Sequence, residues 1–254
     1  MEMVEINLTT IDSTNEYAKK NYLSFASDKI TCIVAEEQTA GRGRWHKKWS
    51  SPKGVNIYAT FCFQLPLSTP QLTTLAEVMA ASLASVLIQE GLKPKVKWPN
   101  DIQLNDKKIA GILCETIFEK SYISIVLGIG INVNMEIEEL SQIDQPASSL
   151  KIETQRLWDR KTLLYKLQLQ FSKDLELFKK EGFAPFRPQL EKILAYKGET
   201  ICCVEGEKEW IGICHSLSLD GGLNLLLESE AASVSPPRLQ TIFYGSCVKR
   251  KMLF

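Results

Sequence analysis

Lys97-Trp98-Pro99-Asn100-Asp101, followed closely by Lys107-Lys108-Ile109-Ala110-Gly111-Ile112-Leu113, decides how this chain is read. Residues 96–98, 108–114 and 123–130 form apolar, β-branched runs and read as successive strands. The polar pair Asn105-Asp106 between two of them suits a hairpin better than a helical crossover, so the expected sheet is largely antiparallel. Pro99 lacks a backbone donor and keeps Trp98 extended. Asn100 and Asp101 then fall at a strand end, where ligands often sit; the plainer reading is a turn with a packed tryptophan. Lys108 opens an apolar strand. Its ammonium either snorkels to solvent or points into a cleft, where it would neutralise charge on a reacting carbonyl or phosphate oxygen.

Outward from this stretch, residues 3–8 read as a strand, and Ser13 and Glu16 as the two ends of a capping box opening a helix through Lys20. Residues 31–35 and 56–63 read as further strands. Pro70 is expected at the first position of a long helix capped by Ser68 or Thr69 and ended by Gly91. Leu72, Leu75, Ala76, Met79, Leu83, Val86 and Leu87 would form its buried stripe. A second long helix is expected over 161–180, with Leu164, Leu167, Phe171, Leu175 and Phe178 inward and Gly182 as its stop. After Tyr196 the segments shorten. Residues 201–204, 210–215, 223–227 and 242–243, with turns at 205–207 and 220–222, suit a small antiparallel barrel. The expectation is an α+β fold in two units, 1–197 and 198–254.

The 254 residues balance 30 Lys and Arg against 30 Asp and Glu, so no global field draws in nucleic acid or an anionic membrane. No apolar run approaches the ~20 residues of a membrane span, and the N-terminus lacks a signal-like layout. The seven cysteines contain no Cys-x-x-Cys pair and read as reduced core thiols of a cytoplasmic protein. With His46 and His215 the sole histidines, no zinc or other protein-held metal is expected.

Two more stretches carry chemistry. From Gly41 to Lys53 every ionisable group is basic, with Arg42 and Arg44 alternating with Gly41 and Gly43. This is either a solvated loop or a mobile one that folds over an anion, arginine supplying planar forks and glycine close backbone approach. Trp45 and Trp49 are costly to expose and would cover a ring or close a lid. Gly128-Ile129-Gly130-Ile131-Asn132 lacks the following helix of a dinucleotide fingerprint. Its glycines either let a flat ligand lie on the strand or serve ordinary packing. No nucleophile elbow or phosphate-cradling glycine–lysine loop is present. These features point to activation of a carboxylic acid by ATP without a covalent enzyme nucleophile.

Ser13-Thr14-Asn15, residues 38–44, Trp49-Ser50-Ser51-Pro52, residues 97–101, residues 108–113, Glu115 and residues 128–132 follow one another in an order that resembles biotin–protein ligases. That resemblance implies a class II tRNA-synthetase-like ligase domain followed by an SH3-like barrel. It also implies a two-step reaction, in which biotin and ATP, with magnesium, give biotinyl-5′-AMP and a carrier lysine then displaces AMP. Ser13, Thr14, Asn15 and Gln38 would line the biotin pocket. Gly41, Arg42, Gly43 and Arg44 would fold over the adenylate, and Lys108 would hold the carboxylate and α-phosphate. Gly111, Gly128 and Gly130 would let the ligand approach, Trp49 and Asn132 would serve the nucleotide end, and Asp101 would orient Lys108 or a magnesium-bound water. The partner implied is the biotin carboxyl carrier domain of acetyl-CoA carboxylase or a related enzyme, with homodimerisation left open. Many members carry Arg-Gly-Arg where this chain has Trp45-His46-Lys47; lysine keeps the charge and loses the bidentate fork. With no room before Ser13 for a helix-turn-helix, DNA binding and a repressor role are not expected. The rivals are a lipoate–protein ligase, whose arginine- and glycine-rich stretch leading to a histidine is missing here, and a non-catalytic RNA- or phosphopeptide-binding module using the basic loop.

Overall fold

A computed structural model describes residues 1–141, 143–227 and 238–249. Strands β1 (Met3–Ile11), β2 (Ile30–Gln38), β3 (Ile57–Pro66), β4 (Lys95–Lys97), β5 (Asp101–Leu104), β6 (Lys107–Phe118) and β7 (Tyr122–Ile131) form one sheet in the order β1-β2-β3-β7-β6-β5-β4. Only β1 and β2 pair in parallel; the other pairings are antiparallel, as the hairpin reading required. Asn105 and Asp106 both adopt left-handed φ, the backbone of a two-residue turn whose twist matches its strands.

The sheet has two unlike faces because side chains alternate along a strand. Phe61, Phe63, Ile112, Ile125, Leu127 and Ile129 are buried on one face under helices α2 (Leu75–Gln89) and α5 (Arg160–Glu181). Phe171 of α5 packs edge-on against Phe61 with ring centroids 5.1 Å apart. All five expected stripe residues of α5 are buried, and Asp159 caps it by accepting from the Lys161 and Thr162 amides. The opposite face carries Thr60, Glu115, Gly111, Gly128 and Gly130, in register across β3, β7 and β6, and is covered by helix α1 (Thr14–Asn21) through Ala18, Ile33, Cys62 and Val126. Short helices α3 (Ile137–Leu140), α4 (Leu150–Thr154) and α6 (Arg187–Lys192) fill the connections.

Several expectations need correction. Ser13 stands at the N-cap of α1 with extended backbone, but no capping box forms: its side chain makes no capping bond, its amide donates to Asp12, and Glu16 pairs with Lys19 and Arg42. Pro70 does not open α2. Gln71 turns left-handed and a 3-10 turn, Leu72–Thr74, precedes the helix at Leu75. The segment Leu72–Gln89 is long and apolar enough to span a bilayer by composition, contrary to the first reading; it is two-thirds (67%) buried in the core, which accounts for apolar residues all round α2.

After Gly198, β8 (Thr200–Glu205), β9 (Lys208–Leu217), β10 (Leu223–Leu227), β11 (Arg238–Ile242) and β12 (Ser246–Lys249) form a second antiparallel sheet in the order β11-β10-β9-β8-β12. It is open among the described residues. Residues 242–243 end β11 rather than making a strand, and β12 was not expected. Cys203 and Cys247 are joined in a disulfide, so the reading of all seven cysteines as thiols is wrong for these two. They face each other across β8 and β12, a proximity that their 44-residue separation conceals. The sheet docks beside the first: Trp98 Nε1 donates to the Gly221 carbonyl at 2.8 Å and Gln71 Nε2 to that of Leu219 at 2.9 Å. The packed-tryptophan reading therefore holds for Trp98, whose ring is buried.

At this junction Glu77 of α2 is buried, and burial pushes its carboxyl pKa from 4.5 to about 8, with Arg44 pulling the other way. The folded chain thus keeps a proton that the unfolded chain releases across that window, and stability falls as pH rises through it. Glu77→Gln is expected to leave stability at pH 5 nearly unchanged and to raise it at pH 8 by a few kcal/mol, at ~1.4 kcal/mol per unit, with the melting temperature rising accordingly. Thermal melts across the pH range check this; parallel curves for the two proteins would contradict it.

Candidate active site

The glycine–arginine loop, the 97–101 turn and the glycine-bearing strands converge on one end of the α1-covered face. A register shift brings Lys108 there. Ile102 pairs with Ala110, yet the next pair is Gln103 with Lys108, so β6 carries one extra residue. Such a bulge turns side chains that alternation would place on the other face. Ile109 and Ala110 both go into the core, while Lys108 joins Gly111 on the site face. There Lys108 Nζ lies 2.7 Å from Asp101 Oδ1, both side chains largely shielded, and 5.3 Å from the Trp49 ring centre.

Cationic groups gather around this pair. Lys97 is half-buried; burial lowers its ammonium pKa, Asp101 opposes the shift, and Lys108 and Lys47 add to it. Arg44 Nη1 donates to Asn100 Oδ1 at 3.3 Å and to the Gly245 carbonyl of the second sheet at 3.1 Å. Burial lowers its pKa too, against the pull of Asp101 and Glu77. Asn100 is pinned by Nδ2 donating to the Ile112 carbonyl. Arg42 instead points away and pairs with Glu16 at 2.8 Å.

A polar chain adjoins the cationic end. Asn15 Nδ2 donates to Glu115 at 2.8 Å, and its Oδ1 accepts from Thr60 at 2.6 Å. Thr60 also meets Thr14 Oγ1, which with the Thr14 amide reaches Gln38 Oε1; Gln38 Nε2 donates to Ser51 Oγ, which donates to the Trp49 carbonyl. Thr14, Asn15, Ser51 and Thr60 are all buried, so their mutual bonding offsets the cost of desolvating them. Ser13 is buried beside them.

The strand glycines have a use not legible in the sequence. Gly128 makes room for the Asn15 amide, and Gly111 and Gly130 make room for the Trp49 indole, so they admit this chain's own side chains. Trp49 Nε1 is buried without an acceptor. Asn132 is also buried, and its Nδ2 is spent on the Ser148 carbonyl at 3.0 Å, which places it in the wall behind the strands. Gly41 is needed for close approach, since a Cβ would come within 2.6 Å of Ser51 Oγ and of the Trp49 carbonyl. Gly43 has ordinary extended backbone, and a Cβ there would make only ordinary contact, 3.5 Å from the Lys47 carbonyl. The left-handed residues of the loop are Trp45 and His46, at φ 57° and 58°. His46 falls where many sequences of the resembled family carry glycine. Trp45, expected to cover a ring, is 63% exposed. No role was expected of Thr60 or Lys97; the i, i+2 alternation of β3 puts Thr60 on the same face as Tyr58 and Cys62.

Comparison with known proteins agrees with this geometry. Residues 8–132 match the model of the biotin/lipoate A/B protein ligase family. The chain is 37% identical over 225 residues to the bifunctional ligase/repressor BirA of Escherichia coli, covering 88% of this chain and 68% of that protein. It is 29% identical over 249 residues to the biotin–[acetyl-CoA-carboxylase] ligase of Paracoccus denitrificans, covering 94% and 100%. The biotin protein ligase of Aquifex aeolicus, solved with biotin and ATP, superposes with a TM-score of 0.79 at 32% identity, covering 97% of this chain and 98% of that one. The chain belongs to the biotin/lipoate A/B protein ligase family.

Proposed function

We propose that this chain attaches biotin to a lysine of a biotin carboxyl carrier domain through biotinyl-5′-AMP. The observation that carries the reading is the placement of Lys108: a strand bulge turns its ammonium onto the site face, beside the buried polar chain of Thr14, Asn15, Gln38 and Thr60. Biotin's carboxylate attacks the α-phosphorus of ATP and pyrophosphate leaves. The carrier's amine then attacks the acyl carbonyl and AMP leaves. Both attacking groups belong to substrates, so the chain's task is to position them and stabilise charge. Lys108, held by Asp101, meets the carboxylate and the α-phosphate, with Lys97 adding positive potential and Arg44 closing the loop. The unpaired Trp49 N–H offers a donor to the nucleotide end. Ser13, Gly41 and Gly43 are assigned to the same pocket and lid, and Arg42 to the lid, which its pair with Glu16 ties to α1.

ATP enters as its magnesium complex. Magnesium usually keeps several waters and binds through phosphates with one or two carboxylates; Asp101 is the carboxylate at hand, and the described residues hold no group of three ligating side chains. We place the division between a catalytic unit and an SH3-like unit near residue 197. We assign the reaction to the cytoplasm because ATP is consumed, propose no nucleic-acid or membrane partner, and take a homodimer as compatible with the exposed sheet edges.

Transfer of labelled biotin to a carrier domain with ATP and magnesium tests the proposal; no transfer would end it. Lipoate is the competing acid. Asn15 Oδ1 accepts from Thr60 and keeps a second lone pair, which a cyclic urea N–H can meet and a dithiolane cannot, and this favours biotin. Biotin should therefore raise the melting temperature and lipoate should not. Arg44→Gly is expected to release the adenylate at least tenfold faster, because the loop loses its bonds to Asn100 and Gly245. Biotinyl-AMP appearing in solution, and bystander lysine labelling, would register it; unchanged release would remove the lid role.

A further inference from the structure

Glu115 remains unassigned by the mechanism, although it stands on β6 two residues past Leu113, on the site face. Its Oε2 accepts from Asn15 Nδ2 at 2.8 Å, and its Oε1 accepts from Lys19 Nζ at 2.8 Å. Lys19 in turn bridges to Glu16, whose carboxylate meets Arg42. Glu115 is therefore paired with a cation and anchored at both oxygens.

The chemistry of these partners fixes one thing. An ionised carboxylate only accepts, and so does the Leu113 carbonyl that also faces Asn15 Nδ2 at 3.4 Å. The amide nitrogen of Asn15 must therefore face β6. Its carbonyl oxygen must face the other way, over Gly128 and against Thr60, within the polar chain that leads through Thr14 to Gln38. That oxygen has two lone pairs, one taken by Thr60.

We propose that Glu115 is a positioning residue for substrate selection: it locks the Asn15 amide so that Oδ1 is presented as an acceptor to a ring N–H of the acid substrate. This rests on the reading of the site as a biotin pocket. A cyclic urea supplies such an N–H and a dithiolane does not, so Glu115, which touches no ligand, sets the hydrogen-bond polarity that distinguishes them. Lys19 keeps the carboxylate in place.

The test compares the parent protein with Glu115→Gln, Asn15→Asp and the double variant, by calorimetric titration with biotin and by the KM for ATP in pyrophosphate exchange. Glutamine offers its own N–H and frees Asn15 to flip, so Glu115→Gln should weaken biotin about tenfold while the KM for ATP stays within about twofold. Asn15→Asp sets two carboxylates against each other and should weaken biotin further. Adding Glu115→Gln then restores a donor–acceptor pair, with an aspartate oxygen again presented inward, and should recover about tenfold of that loss. A purely structural role would not yield such a rescue. Glu115→Asp, one methylene short of Asn15, gives the single-variant comparison of biotin affinity and KM for ATP should Glu115→Gln fail to fold. If the parent binds biotin and Glu115→Gln matches it, or the double variant is no better than Asn15→Asp, the inference is wrong and the biotin reading stands. If the parent binds no biotin, both fall.

Discussion

Lys108→Ala should lower biotin-dependent ATP–pyrophosphate exchange by about 10²–10³-fold, the usual cost of removing one preorganised group from a site of developing charge. The ammonium is held 2.7 Å from Asp101 on a bulged strand, against the Trp49 ring and shielded from water. In that setting its interaction with an α-phosphate oxygen is screened far less than in solvent. The fold should survive. Asp101 loses a partner in a shielded position, but Lys97 and Arg44 remain within reach to offset its charge, so the melting temperature should fall by a few degrees at most. Biotin binding should weaken less than catalysis, because the ring pocket proposed above lies elsewhere, around Asn15 and Thr60. Exchange within tenfold of the parent would remove Lys108 from the chemistry.

Gly128→Ala should abolish measurable biotin binding while sparing ATP binding, and should destabilise the fold by about 1–3 kcal/mol. The new Cβ would overlap Asn15 Oδ1 and its amide carbon. Asn15 cannot retreat cheaply: it sits in the first turn of α1, it is tied to Glu115 and Thr60, and the helix is packed through Ala18 onto Ile33 and Cys62. The side chain must therefore rotate, and the chain of bonds from Thr60 to Gln38 comes apart with it. Calorimetric titration with biotin, beside a thermal melt, would measure both effects; parent-like affinity would mean that the Asn15 amide is not part of the pocket.

Much of the architecture was legible because it depends on near-neighbour patterns. The 105–106 turn, the apolar stripe of α5 and its stop at Gly182 follow from spacings of two to four residues, which fix which side chains share a face. The site was legible in part. Residues 13–15, 38–44, 97–101 and 108 were named in advance and do converge. What spacing misrepresented was the use made of individual groups: Asn132 in the wall, Arg42 turned to Glu16, and the strand glycines occupied by Asn15 and Trp49. The first turn of α1 shows why, since Ser13 and Glu16 have capping-box spacing but Glu16 finds Lys19 and Arg42 closer to hand.

By itself the sequence determined the strand and helix periods, the antiparallel hairpin and the cationic character of the two stretches. Those properties reside in residues close together along the chain. Tertiary structure alone decided the extra residue on β6 that aims Lys108, the joining of Cys203 to Cys247, the docking of Trp98 on Gly221 and the reach of Arg44 to Gly245. Each of these depends on which strand lies beside which, and pairing across long loops is settled by burial of the whole core, which no local spacing records.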